Sequence, residues 1–133
     1  MKTLDQESIE GIAALLVHAA KIDEQYSDKE KNLIKDFIKS YLKSDNISKI
    51  LKKAEELEKN SNQLLKFTNI IKKEIPEIKS DIIKHLWKII ISDKSVDQYE
   101  SNLMRRICGL IYFPDKMSAE IKLQILNNKW LIL

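Results

Sequence analysis

Four carboxylates stand in two similar short segments of the chain, Asp23 and Glu30 in the first and Asp93 and Glu100 in the second. The two pairs are 70 positions apart, since 93 follows 23 and 100 follows 30 by that number. Hard divalent cations such as Ca²⁺ and Mg²⁺ prefer oxygen ligands, and Ca²⁺ takes about six to eight of them. If the two segments meet in space, the four carboxylates could supply part of the coordination shell of a cation, and carbonyls and water could complete it. The sequence therefore predicts a divalent-metal site at these four residues, and without EF-hand spacing we expect Ca²⁺ or Mg²⁺ to bind weakly.

The same four residues also have a purely structural interpretation. Glu30 stands three residues after Ser27, the spacing of a capping box, and Glu100 holds the corresponding place in the second segment. A carboxylate there accepts a backbone amide and offsets the positive end of the helix. Asp23 and Asp93 follow predicted helix ends, where an anion is unfavourable, so we expect them to turn inward and bond amides of the next helix. Capping and turn formation alone would explain all four acids.

Apolar residues recur at three- and four-residue spacing along almost the whole chain, which is typical of amphipathic helices. The predicted helices run from about Asp5 to Lys21, from Ser27 to near Leu42, from Ile47 to the interruption at Asn60, from Leu64 to Ile75, from about Glu77 to Ile91, through Leu103 to Leu110, and from near Ser118. The fifth has almost no polar face, and we expect it to be central. The pattern predicts an all-α protein with about seven helices.

The offset of 70 positions extends over a whole element and makes an internal repeat. The residues identical in the two copies are Asp23 and Asp93, Glu30 and Glu100, Asn32 and Asn102, and Leu33 and Leu103. Ser27 falls on Asp97, and both residue types cap helices well. The repeat predicts two pseudo-symmetric helix-turn-helix elements within a single compact bundle.

The repeated pattern is an aspartate, a short turn, a capping residue, two further residues, a glutamate and then a leucine. Present from Asp23 to Leu33 and again from Asp93 to Leu103, it resembles TerB-like domains of the tellurite-resistance family. The segment 64–68, Leu-Leu-Lys-Phe-Thr, is similar to the middle helix of such domains, so the likeness spans Ile9 to about Leu126. The resemblance implies a TerB-like helical bundle whose acidic residues serve a metal-linked stress role.

Length and composition fit one soluble domain. The 133 residues are enough for a single core, which we place at about 5–128, followed by an apolar tail at 129–133. This tail must dock on its own domain or join a second subunit as a homodimer contact. The sequence shows no signal-peptide pattern and no apolar run of the ~20 residues that span a bilayer. With a single cysteine, Cys108, the chain suits a reducing compartment, and we expect a cytoplasmic location.

Several classes of function have no support in the sequence. The net charge is only +3 and the lysines are scattered among acids, so we expect no nucleic-acid partner. No serine sits in a nucleophile motif and no glycine-rich loop could cradle a phosphate. His18 and His85 do not form a metal-ligand pair at helical spacing. We therefore expect no catalytic residues and no enzymatic activity.

Two hypotheses for the function follow. The first is a non-enzymatic module in a stress or tellurite-resistance-type response, which docks an unidentified protein partner through its helical surface. The alternative is a divalent-metal-binding or metal-sensing domain, in which an ion joins the paired acidic turns and changes their packing.

Overall fold

The computed structural model describes residues 4–22, 26–42, 46–61, 64–92 and 98–131, and for residues 98–100 and 128–131 it describes the backbone alone. Across these ranges the chain forms seven α-helices and no strand. They are α1 (Gln6–Ala20), α2 (Asp28–Tyr41), α3 (Ile47–Lys59), α4 (Leu64–Lys72), α5 (Pro76–Ile91), α6 (Gln98–Ile111) and α7 (Asp115–Leu131). The predicted all-α bundle is confirmed.

Two predicted helix boundaries are wrong by three residues. The fourth helix ends at Lys72 rather than at Ile75, because Ile75 takes the extended conformation favoured before proline and Pro76 opens α5. The seventh begins at Asp115 rather than near Ser118, since the Pro114 carbonyl already accepts a bond from the Ser118 amide, 3.1 Å away. Ser118 therefore lies inside the first turn of α7 and does not cap it.

The first helix is enclosed by its neighbours and is the centre of the bundle. It packs against α2, α3, α4 and α5. Every residue from Ile9 to Val17 is buried, so the burial extends around the helix beyond the single core face that its apolar spacing predicts. Gly11 faces α4, and the Cδ1 methyl group of Ile70 occupies the space that a Cβ atom of residue 11 would need. The central position expected for α5 is therefore shared with α1, since α5 packs against α1, α2, α6 and α7.

A buried hydrogen bond joins the last three helices. Trp87 Nε1 on α5 donates to Ser118 Oγ on α7 over 2.9 Å, and both residues are buried. Cys108 of α6 is buried beside Ser118, and burial raises the pKa of its thiol. Cys108 is thus a small buried residue of the core, and Ser118 supplies the polar partner that the buried indole needs.

Replacing Ser118 with alanine should lower the free energy of unfolding by about 1–3 kcal/mol, because the indole N–H of Trp87 is left buried without an acceptor. Urea denaturation measures this loss. Ser48→Ala on the exposed face of α3 is the matched control and should stay within about 0.5 kcal/mol of the original chain. In a Trp87→Phe background the Ser118→Ala change should cost less. Equal effects of Ser118→Ala and Ser48→Ala would contradict this role.

Candidate functional site

The first predicted acidic segment contains a complete capping box. The Ser27 hydroxyl accepts a bond from the Glu30 amide at 3.3 Å, and Glu30 Oε1 accepts one from the Ser27 amide at 2.9 Å. This geometry confirms the box predicted from the spacing. Glu30 is only 1% exposed. The Glu30 carboxylate is therefore fixed at the start of α2 and points away from bulk solvent.

The structure brings the two repeated elements together. Lys29 Nζ, in the first turn of α2, donates to the Ser92 carbonyl at the end of α5 over 3.5 Å. Ser92 directly precedes Asp93, so the start of α2 lies beside the start of the second acidic segment. The helices also keep the predicted register, because α6 begins and ends 70 positions after α2. The start of α2 and the end of α5 are therefore neighbours at one end of the bundle.

Of the four predicted metal ligands, the structure places only the side chain of Glu30. Asp23 and Asp93 lie outside the described residues, and Glu100 lies in α6 with its side chain outside them. Within the described part of the chain, no group of three or more His, Cys, Asp or Glu side chains could hold a metal ion. Convergence of the four carboxylates remains a prediction.

Tyr26 indicates that negative charge surrounds the start of α2. Burial of its phenol raises its pKa, and the nearby carboxylates of Glu55, Glu30 and Glu58 raise it further. The face of its ring is covered by Lys31, whose Nζ lies 4.9 Å from the ring centroid. This end of the bundle therefore combines several carboxylates with lysines that partly offset them.

A polar cluster that the sequence did not reveal lies at the ends of α1 and α3. Glu58 Oε1 accepts from Lys21 Nζ at 2.9 Å, and Glu58 Oε2 lies 3.3 Å from Nδ1 of His18. The Glu58 side chain is 13% exposed, so it is largely withdrawn from water. His18 and Lys21 share a helix face at three-residue spacing, but nothing in the sequence identifies a partner about 40 positions away.

The other histidine has a packing role, as expected from the sequence. His85 Nδ1 lies 2.8 Å from the Asp81 carbonyl oxygen, and its ring meets the edge of Phe37 at a centroid distance of 5.2 Å. Burial lowers the pKa of His85 and outweighs the opposing effect of Asp81. His85 is thus a largely buried packing residue, with its side chain 12% exposed.

Tyr112 is held in an unusual backbone conformation at the end of α6. The Phe113 amide donates to the Cys108 carbonyl at 2.9 Å and the Tyr112 amide to the Gly109 carbonyl at 3.4 Å, the two bonds of a Schellman motif. Tyr112 occupies the left-handed position with a φ of 60°, where glycine is the usual residue. Its side chain is 70% exposed, and Lys72 Nζ lies 4.8 Å from its ring centroid.

None of the described helices is long and apolar enough to cross a membrane. A family model described as tellurite resistance protein TerB matches residues 10–123. Neither the search of curated proteins nor that of solved structures gave a match. The matched range covers most of the chain, includes both repeated elements and agrees with the helical bundle. The chain therefore belongs to the TerB family of tellurite-resistance proteins.

Proposed function

We propose that this chain is a non-enzymatic interaction domain in a stress or tellurite-resistance-type response of the cytoplasm, and that it docks a protein partner through the surface around Tyr112. The conformation and exposure of Tyr112 carry this proposal. A non-glycine residue in the left-handed region costs about 1–2 kcal/mol. Such local strain is typical of functional positions. A large aromatic ring that is exposed at this position contributes little to the stability of the folded state.

The surroundings of Tyr112 favour contact with a protein. Tyrosine is enriched among the residues that dominate binding energy at protein interfaces. Lys72 lies over the ring and limits its motion, which reduces the entropy lost on docking. Met117, in the first turn of α7, is also 43% exposed and is another residue type enriched at interfaces. The end of α6 and the start of α7 thus offer an apolar contact surface close to a positive charge.

Replacing Tyr112 with glycine should separate stability from function. Relief of the left-handed strain should exceed the loss of the contact with Lys72 and raise the free energy of unfolding by about 1 kcal/mol. Partner docking should be lost, so cells that carry this variant should survive tellurite poorly. Tyr112→Phe keeps the ring and should keep survival. Leu123→Ala, at an exposed leucine of α7, is the matched control and should behave like the original chain.

The docking itself is measured by photo-crosslinking in cells. A benzophenone amino acid at position 112 should give a discrete protein adduct, and the same probe at position 123 should not. A Tyr112→Gly chain that is more stable and confers full tellurite survival would contradict the proposal.

A divalent-metal-binding or metal-sensing role is the second candidate, and the contact between Lys29 and Ser92 favours it. This contact places the start of α2 beside the end of α5, and these helices flank the predicted acidic segments. Glu30 already accepts bonds from Ser27, so it would give up or share part of its capping role. An ion that bridges the two segments would bias the packing of α2 against α5.

Calorimetric titration with Ca²⁺, Mg²⁺, Mn²⁺ and Zn²⁺ tests this second candidate. We expect binding in the range of about 10⁻⁴ to 10⁻³ M for Ca²⁺ or Mg²⁺, because no rigid cage is encoded. The Asp23→Asn/Asp93→Asn double variant should lose this binding of Ca²⁺ or Mg²⁺. The control Asp36→Asn/Glu56→Gln removes two exposed carboxylates from other helix faces and should keep it. No heat and no thermal shift at millimolar ion would reject the metal role.

A further inference from the structure

A cleft of about 480 Å³ opens between α1, α3, α4 and α6. Its apolar wall is formed mainly by Leu64, Phe67 and Leu103. Its polar rim is formed mainly by His18, Lys59 and Arg106. A second depression, of about 500 Å³, adjoins it and shares His18, Leu103 and Arg106. Binding sites for small molecules typically have volumes of about 300–1,000 Å³. The cleft is therefore large enough for a small organic ligand.

The charges around this cleft leave an excess of positive groups. Lys21 and Glu58 also line it, but they neutralise each other across their 2.9 Å ion pair. Neither Lys59 nor Arg106 forms an ion pair with any carboxylate of the described residues. Two cations thus line one concave surface, which favours a ligand that carries negative charge.

His18 is positioned at the rim by a fixed partner. Glu58 lies 3.3 Å from Nδ1 of the imidazole, and its carboxylate is only 13% exposed. A hydrogen bond donated by one ring nitrogen to a carboxylate orients the ring and leaves Nε2 as the atom that can meet a ligand. The rim thus combines one oriented imidazole with the guanidinium of Arg106, whose planar donors match carboxylate and phosphate oxygens.

The wall of the cleft is apolar and firmly placed. Phe67 and Leu103 are almost completely buried, and Leu64 is partly buried against the core. A hydrated inorganic ion would gain nothing from these side chains, whereas the apolar or aromatic group of a ligand would itself leave water on contact with them. The structure favours a ligand with an anionic head and an apolar body.

We propose that this cleft binds a small organic anion, a carboxylate or a phosphate ester that carries an apolar group. The anionic head pairs with Arg106 and Lys59 beside His18, and the apolar group lies against Phe67 and Leu103. The cleft uses neither the surface around Tyr112 nor the four predicted metal ligands, so this proposal is independent of both candidate functions.

The test is a titration of the ¹⁵N-labelled full-length chain, followed by backbone amide shifts, with phenyl phosphate, phenylacetate, inorganic phosphate and benzylamine as separate probes. At least one of the two aromatic anions should give saturable shifts at residues that line the cleft. The aromatic anion with the higher affinity shows whether the site prefers a phosphate ester or a carboxylate. It should bind about tenfold more tightly than inorganic phosphate, because burial of its ring against the apolar wall adds affinity. Benzylamine, with the same ring and the opposite charge, should not saturate.

Two neighbouring arginines provide the matched variants. Arg106→Gln should weaken binding of the better aromatic anion by about tenfold or more, the loss expected for a charge-assisted hydrogen bond. Arg105→Gln removes the same charge from an exposed residue that lines neither depression, and should change binding by less than about twofold. Both positions are exposed, so both variants should fold, which circular dichroism verifies.

Three results would overturn the proposal. The first is the absence of saturable shifts with either aromatic anion. The second is an equal loss of affinity in Arg106→Gln and Arg105→Gln, which would indicate general attraction to a positive surface. The third is equal affinity for inorganic phosphate and for the aromatic anions, since the apolar wall would then have no part in recognition.

Discussion

The enclosure of α1 by four other helices is the constraint on which the rest of this structure depends. Its buried residues remove apolar surface from water on every side of the helix, which a surface helix with one apolar face does not do. The neighbours come close because α1 is rich in alanine and has Gly11 where α4 crosses it. Four of the other six helices therefore take their position from contact with α1.

This arrangement places two different kinds of chemistry at the carboxyl end of α1. Lys29 joins the start of α2 to Ser92 at the end of α5. Beside them, His18 and Lys21 meet Glu58 at the edge of a cleft in which positive charge is in excess. The TerB family match extends across both regions. A concave surface with positive charge in excess favours a negatively charged ligand.

The local features of this protein could be predicted from its sequence, because they depend on residues three or four positions apart. The helices, the capping box of Ser27 and Glu30, and the register of the repeat all belong to this group. Features that depend on distant residues could not. The sequence predicts only that a helix begins near Ser118, because the bond between Ser118 and Trp87, 31 positions apart, leaves no local signal. The contact between His18 and Glu58 could not be predicted for the same reason, since these residues are 40 positions apart.

The candidate sites show the same division. Glu30 could be identified from its spacing, and the structure shows it buried and held by Ser27. The left-handed conformation of Tyr112 could not be anticipated, because tyrosine carries no turn signal and glycine is the residue expected at that position. The position of Arg106 on the cleft, while Arg105 lies away from it, depends on how α6 packs against α4.

Native-state hydrogen exchange tests the central position of α1 most directly. If the bundle is built around this helix, the amides of Ile12 to Val17 should exchange only through global unfolding, with a protection free energy equal to the unfolding free energy from denaturation. Amides of α3 and α7, which lie nearer the surface, should exchange earlier through local opening. Faster exchange in α1 than in α3 or α7 would contradict the proposal that α1 organises the bundle.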